Sequence, residues 1–163
     1  MRFVVPKVVA LCSSFLIYCG YNTEKRTTSV EEAVATYKIT MKRGGLHQDA
    51  FQVVGNNLRY IPDSTSSKIF ERYNIPSLKK MDNQVVLEFF KNIEQLGFWK
   101  LNDEYRTDAS CTSSLIVTVE QNGRIKTVRC DDFERNCPPV IKYIDQKVVE
   151  LEGNYLIWTF LPG

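Results

Sequence analysis

Ser114-Leu115-Ile116-Val117-Thr118-Val119-Glu120-Gln121-Asn122-Gly123-Arg124-Ile125-Lys126-Thr127-Val128-Arg129-Cys130 is the stretch that decides the fold. Residues before Asn122-Gly123 alternate apolar and polar, the strand after it runs to Cys130, and Asn-Gly is the strongest short-range hairpin signal. With those two residues as the loop, Gln121 faces Arg124, Val117 faces Val128 and Leu115 faces Cys130. Side chains alternate along a strand, so Leu115, Val117, Val119, Val128 and Cys130 share one face, which is expected to be the core. Ile116, Thr118, Thr127 and Arg129 share the other.

The first half of the chain carries a less regular version of the same plan. Thr36 to Lys42 alternates as a half-buried strand does, and Gly44-Gly45 breaks it. Phe51–Val54 and Leu58–Ile61 flank Gly55-Asn56-Asn57 and read as a second hairpin. Pro62 to Lys80 is a polar connection with Ile69, Phe70 and Tyr73 as its apolar anchors. Asp82 is placed to cap a helix from Asn83 to Leu96, closed by Gly97, with Val86, Phe89, Phe90, Ile93 and Leu96 on one stripe. Phe98–Leu101 reads as a short edge strand or as the chain's return over the core. A second helix is expected from about Asn136, Pro138 and Pro139 being tolerable in its first turn, with Ile141, Ile144, Val148 and Leu151 inward. Tyr155–Phe160 is the expected last strand. The order predicts an α+β fold: an antiparallel sheet of two β-hairpin–helix units with two helices packed on one face. The other face is left open for a partner.

Composition bounds the function. The 163 residues predict one domain, and 44% hydrophobic content is enough for a core. The N-terminus begins with Arg2 and Lys7, and Val8–Tyr18 is an uncharged, mostly apolar run. At roughly a dozen residues it falls short of the ~20 needed to span a bilayer, so it reads as an export signal. Leu16-Ile17-Tyr18-Cys19-Gly20 resembles a lipobox, which assigns lipidation to Cys19, although Tyr18 stands where a small residue is usual. The alternatives are an ordinary cleaved secretory signal and an uncleaved anchor, the latter disfavoured by the short run. The expected organisation is a signal over residues 1–18, a tether over 19–35 and a single α+β domain over 36–163. Loss of Arg2 and Lys7 with the signal lowers 21 basic residues to 19, matching the 19 acids. A neutral mature chain argues against nucleic-acid binding, which needs a basic face.

Cys111, Cys130 and Cys137 remain in the domain. An oxidising compartment should pair two of them. Extrapolating the hairpin register puts position 111 opposite position 134, so Cys111–Cys137 is the first expectation and Cys130–Cys137 the second. No C-x-x-C occurs, and His47, the sole histidine, is distant, so neither a metal nor another cofactor is expected.

Four segments carry a family resemblance. Tyr37-Lys38-Ile39-Thr40-Met41-Lys42-Arg43-Gly44-Gly45 resembles the opening strand of an uncharacterised domain found mainly in bacterial lipoproteins. Phe98-Trp99-Lys100-Leu101-Asn102-Asp103-Glu104-Tyr105 resembles its F-x-x-L-x-D-x-Y segment, and Gly123–Val128 its second hairpin. Pro139–Glu150 with Gly153 and Trp158 is similar to its closing helix and terminal tryptophan, so the likeness spans about residues 36–158. Where that family usually places two cysteines with Gly and Pro, this chain has Leu46-His47-Gln48-Asp49-Ala50. Membership implies an exported α+β domain with no known catalytic activity.

Candidate chemistry is sparse. His47 beside Asp49 would make a general base, but no activated Ser or Cys accompanies it. Asp103, Glu104, Asp108, Asp131, Asp132 and Glu134 lack the ligand series of a calcium loop and read as solvated acids. Trp99, Tyr105, Trp158 and Phe160 would form either a binding patch or plugs at the ends of the core. The reading that follows is a non-enzymatic, lipid-anchored envelope protein. It is held on the membrane by its N-terminal lipid and binds an unknown envelope protein or ligand through Thr118, Thr127 and Arg129. The alternative is a secreted inhibitor of a hydrolase.

Overall fold

The computed structural model describes residues 29–45, 48–63 and 71–157. It is a mixed α+β fold with a seven-stranded sheet in the order β4-β3-β2-β1-β6-β7-β5. The strands are β1 (Lys38–Gly44), β2 (Ala50–Val54), β3 (Asn57–Ile61), β4 (Ser77–Lys80), β5 (Glu104–Tyr105), β6 (Ser114–Gln121) and β7 (Arg124–Cys130). All neighbours are antiparallel except β5 and β7, which are parallel. Three helical segments accompany them: α1 (residues 29–35), α2 (Asn83–Gln95) and α3 (Pro139–Glu152). Among the described residues no helix is long and apolar enough to cross a membrane.

The β6–β7 hairpin has the register read from its sequence, with Leu115 opposite Cys130, Val117 opposite Val128 and Gln121 opposite Arg124. Asn122 and Gly123 take φ of 52° and 76°, as a two-residue turn that follows the strand twist demands. The expected inward face is buried throughout: Leu115, Val117, Val119, Val128 and Cys130 are each 0% exposed. In α2 the Asp82 carboxylate accepts from Gln84 N–H at 2.7 Å, and Val86, Phe89, Phe90 and Ile93 are buried. Phe90 stacks on Tyr37 at 4.5 Å between ring centres, while Asn92 donates to the Tyr143 hydroxyl of α3 at 3.1 Å.

Several segments depart from the sequence reading. Residues 29–35, assigned to the tether, are helical, and Val34 is buried in the core. The Pro62–Lys80 connection contains a short helical turn, Glu71–Asn74, with Tyr73 buried, and then β4. Of the two readings of Phe98–Leu101, the edge strand fails and the return over the core holds: Phe98–Lys100 is a helical turn that buries Phe98. The edge position is taken by β5, which is too short for alternation to reveal. Tyr155–Ile157 is not a strand. Tyr155 has φ 54°, and the segment is tied by side-chain donors, Arg43 to the Leu156 carbonyl and Tyr73 to the Ile157 carbonyl. Trp158 to Phe160, His47 and Cys19 lie outside the described residues.

The disulfide also differs from the first expectation. Cys130 pairs with Cys137, with Cα atoms 5.4 Å apart, and Cys111 is free and exposed. The reason lies in the intervening turn. Asn136 N–H donates to the Asp132 carbonyl at 3.1 Å, and the Asp132 carboxylate accepts from Arg135 N–H at 3.1 Å. That turn folds Cys137 back over the inward face, where it is 6% exposed, instead of across the open end of the hairpin. Cys111, at φ 58°, sits exposed in the segment ahead of β6. Of these three cysteines, Cys111 alone should take an alkylating reagent under native, non-reducing conditions, with Cys130 and Cys137 following after reduction and unfolding. Mass mapping that finds Cys130 labelled before reduction would overturn this pairing.

Candidate functional site

The inward parity of the strands carries charge as well as oil. In β1 the positions Ile39, Met41 and Arg43 alternate inward, and ahead of β2 the same parity places Asp49 with Phe51 and Val53. Arg43 and Asp49 form a two-pronged ion pair, with Nε to Oδ1 and Nη2 to Oδ2 both at 2.6 Å and side chains 0% and 1% exposed. The Tyr60 hydroxyl shares its single proton between Asp49 Oδ2 at 3.0 Å and the Tyr73 carbonyl at 2.9 Å. Burial, reinforced by the Asp49 charge, pushes the Tyr60 hydroxyl far above its usual value. Arg43 Nη1 donates to the Leu156 carbonyl at 2.9 Å and lies 3.7 Å from Asp145 Oδ1 of α3. Sequence reasoning passed over this cluster, yet the signal was present. Asp145 follows Ile144 on the inward stripe of α3, and Arg43 and Asp49 sit at inward strand positions. With its side chains almost wholly buried, the cluster ties β1, the residue ahead of β2, β3, α3 and the segment after α3 to one another.

The open surface lies on the other side. The Thr118 and Thr127 hydroxyl oxygens are 2.8 Å apart across β6 and β7, Lys38 pairs with Glu120, and Arg129 pairs with Asp131 at 2.7 Å. A hollow of about 810 Å³ borders this surface. Its lining includes Ile125, Thr127 and Arg129 from the open face of β7 together with Arg124 and Lys126 from the opposite parity. It therefore wraps around the outer edge of that strand. Of the three residues assigned to binding, Thr127 and Arg129 line the hollow, and Thr118 stands beside it on β6. Trp99, one of the aromatics singled out from the sequence, lines it too, but the sequence reading missed Arg124, whose guanidinium lies 4.2 Å from the Trp99 ring centre. Nothing in the spacing of residues 99 and 124 announces that contact.

The loop acids do not gather into one site. Asp103 pairs with Lys126, Glu104 with Arg106, Asp131 with Arg129 and Asp132 with Arg135. Among the described residues no group of three or more His, Cys, Asp or Glu is arranged to hold a metal ion. Tyr105 is half-buried against the core, with its hydroxyl accepting from Asn102 N–H at 3.1 Å. Trp99 is half-buried against the core. Comparison with protein-family models, with curated proteins and with solved structures finds no match to this chain.

Asp145 gives the buried cluster a pH dependence. Burial raises its carboxyl to about 6, against the pull of Arg43 and with the Asp49 charge adding to the rise. The folded chain holds a proton there that the unfolded chain, at about 4, has already released. Stability from this group is complete below about pH 4 and is lost as the pH rises towards 6. Asp145→Asn should remove that fall, gaining about 3 kcal/mol over the parent between pH 4 and pH 7. Denaturant titrations of both proteins at the two pH values check this, and parallel stability curves would refute it.

Proposed function

We propose that this chain is an exported, lipid-anchored envelope protein whose α+β domain is a non-catalytic binding module. It belongs, on this reading, with the bacterial lipoprotein-associated domains that its opening strand and second hairpin resemble. Cys19 carries the lipid, residues ahead of the folded body act as the tether, and both long helices cover one face of two hairpin–helix units. The opposite face is left to a protein or other envelope component.

The observation that carries the reading is the hollow of about 810 Å³ lined by Ile125, Thr127 and Arg129 of β7, all three exposed, with Trp99 at its side. Its polar groups are bound to one another: Thr118 to Thr127, and Arg129 to Asp131. Such a surface offers hydrogen-bonding groups and an exposed Ile125 without a poised nucleophile or base. Interfaces of this mixed kind bind through a few anchors inside a polar rim.

Capture from the native envelope tests the proposal. Thr118→Glu, Thr127→Glu and Arg129→Glu together should abolish recovery of a cross-linked partner that the parent recovers, with unchanged circular dichroism. Full recovery by the triple variant would end the assignment of this face. The intact mass of the parent from membranes should show acyl chains on a species starting at Cys19, and an unacylated chain cut elsewhere would remove the anchor.

A further inference from the structure

Strand β7 pairs with β6 along its whole length, but its outer side is covered only near its end. There Arg129 N–H donates to the Asp103 carbonyl at 2.8 Å, and Asp131 N–H to the Tyr105 carbonyl at 3.0 Å. Backbone groups of every second residue point to the same side of a strand. The N–H and C=O of Ile125 and Thr127 therefore point outward as those of Arg129 do. The parallel ladder from β5 stops at the Glu104–Arg129 pair, and among the described residues these groups meet no backbone partner. They front the hollow.

The two edges of the sheet are guarded differently. Strand β4 follows Pro76 and projects Lys79 and Lys80 into solvent, both of which deter strand pairing. On β7 the cations are drawn aside. Lys126 is held 2.5 Å from Asp103 with its side chain 18% exposed, and Arg124 lies over Trp99. Ile125 remains 67% exposed, and the Trp99 Nε1–H is buried with no acceptor among the described residues. Arg124 pairs with Glu94 at 3.9 Å with both side chains more than half exposed, a pairing weak enough for a ligand carboxylate to replace.

We propose that the free edge at Ile125–Thr127 adds a strand from a partner protein, an extended segment alternating an apolar residue beside Ile125 with an acidic residue beside Arg124. This deepens the binding-module reading and rests on it. Main-chain hydrogen bonds to Ile125 and Thr127 supply the affinity. The exposed isoleucine and the arginine over Trp99 supply the preference for alternation, as in other strand-addition sites.

Two N-methylated forms of one probe decide it. The probe is a synthetic heptapeptide of alternating Val and Glu, methylated at the backbone nitrogens of either its odd or its even residues. Only one set of nitrogens in an added strand faces the sheet. The unmethylated peptide should slow hydrogen exchange at the Ile125 and Thr127 amides of the isotope-labelled full-length chain. One methylated form should bind at least about tenfold more weakly and the other about as well as the parent peptide. Ile125→Pro, which removes an N–H that β6 does not use, should weaken binding similarly. Equal binding by both methylated forms, no binding at all, or protection at Ser77–Lys80 instead would overturn the proposal. Concentration-dependent dimerisation protecting the same two amides would also overturn it, by making a second copy the occupant. If the triple glutamate variant loses its partner while both methylated peptides bind alike, the binding-module reading survives and strand addition falls. Edge protection in a chain whose triple variant still captures its partner gives the reverse result.

Discussion

Arg43 sits with its side chain wholly out of water, and four parts of the chain converge on its guanidinium. Two nitrogens grip Asp49 ahead of β2, the third reaches the Leu156 carbonyl near the chain end, and Asp145 of α3 stands 3.7 Å away. Phe51 lies under it, 4.9 Å from ring centre to guanidinium carbon. Desolvating such ions costs several kcal/mol each even after relaxation, so the arrangement holds only with close opposite charge and acceptors on each of the three nitrogens. That requirement fixes the path from β1 to β2, the seat of α3 and the course of residues 155–157 together. Removing one partner from a buried pair costs about 3–5 kcal/mol, whereas replacing the whole group with oil is often neutral. The cluster therefore specifies which surfaces meet more than it adds to stability.

The same economy of space explains the second half of the domain. Strand β7 ends on Cys130 inside the core, and the Asp132 turn brings Cys137 directly back onto it before α3 begins. A loop of seven residues' separation yields about 2 kcal/mol of entropic restraint, less than the longer Cys111–Cys137 loop would have. What it gives instead is position, because α3 must start beside the end of β7. From that start, Ile141, Ile144 and Val148 reach the core, and Asp145 reaches Arg43.

The binding role proposed for this domain falls to the open face and its outer edge. Thr118, Thr127 and Arg129 were chosen from alternation alone, and the sheet does put them on one side of β6 and β7. What distinguishes that side is the shortness of β5. It pairs with Arg129 and Cys130 and leaves the outward backbone groups of Ile125 and Thr127 without a backbone partner among the described residues. A surface and an edge then meet in one hollow, where side-chain contacts and a hydrogen-bond ladder are available to the same ligand.

The sequence by itself determined the elements whose signals are local. The β6–β7 register follows from Asn122-Gly123 and period-two alternation, and α2 from Asp82, Gly97 and a stripe of apolar residues. The inward residues of both follow from side-chain period alone, save Leu96, which lies at the C-cap of α2 and is 52% exposed. Charged residues at inward parity, Arg43, Asp49 and Asp145, were also written there, though their meaning depends on finding one another. Only the tertiary structure decided that they do so across more than a hundred residues, that Cys130 rather than Cys111 receives Cys137, and that Arg124 lies over Trp99. It likewise decided that a two-residue strand would cover half of an edge. Each of these is settled by which surfaces can be buried together once the chain has folded back on itself, and no local pattern encodes that.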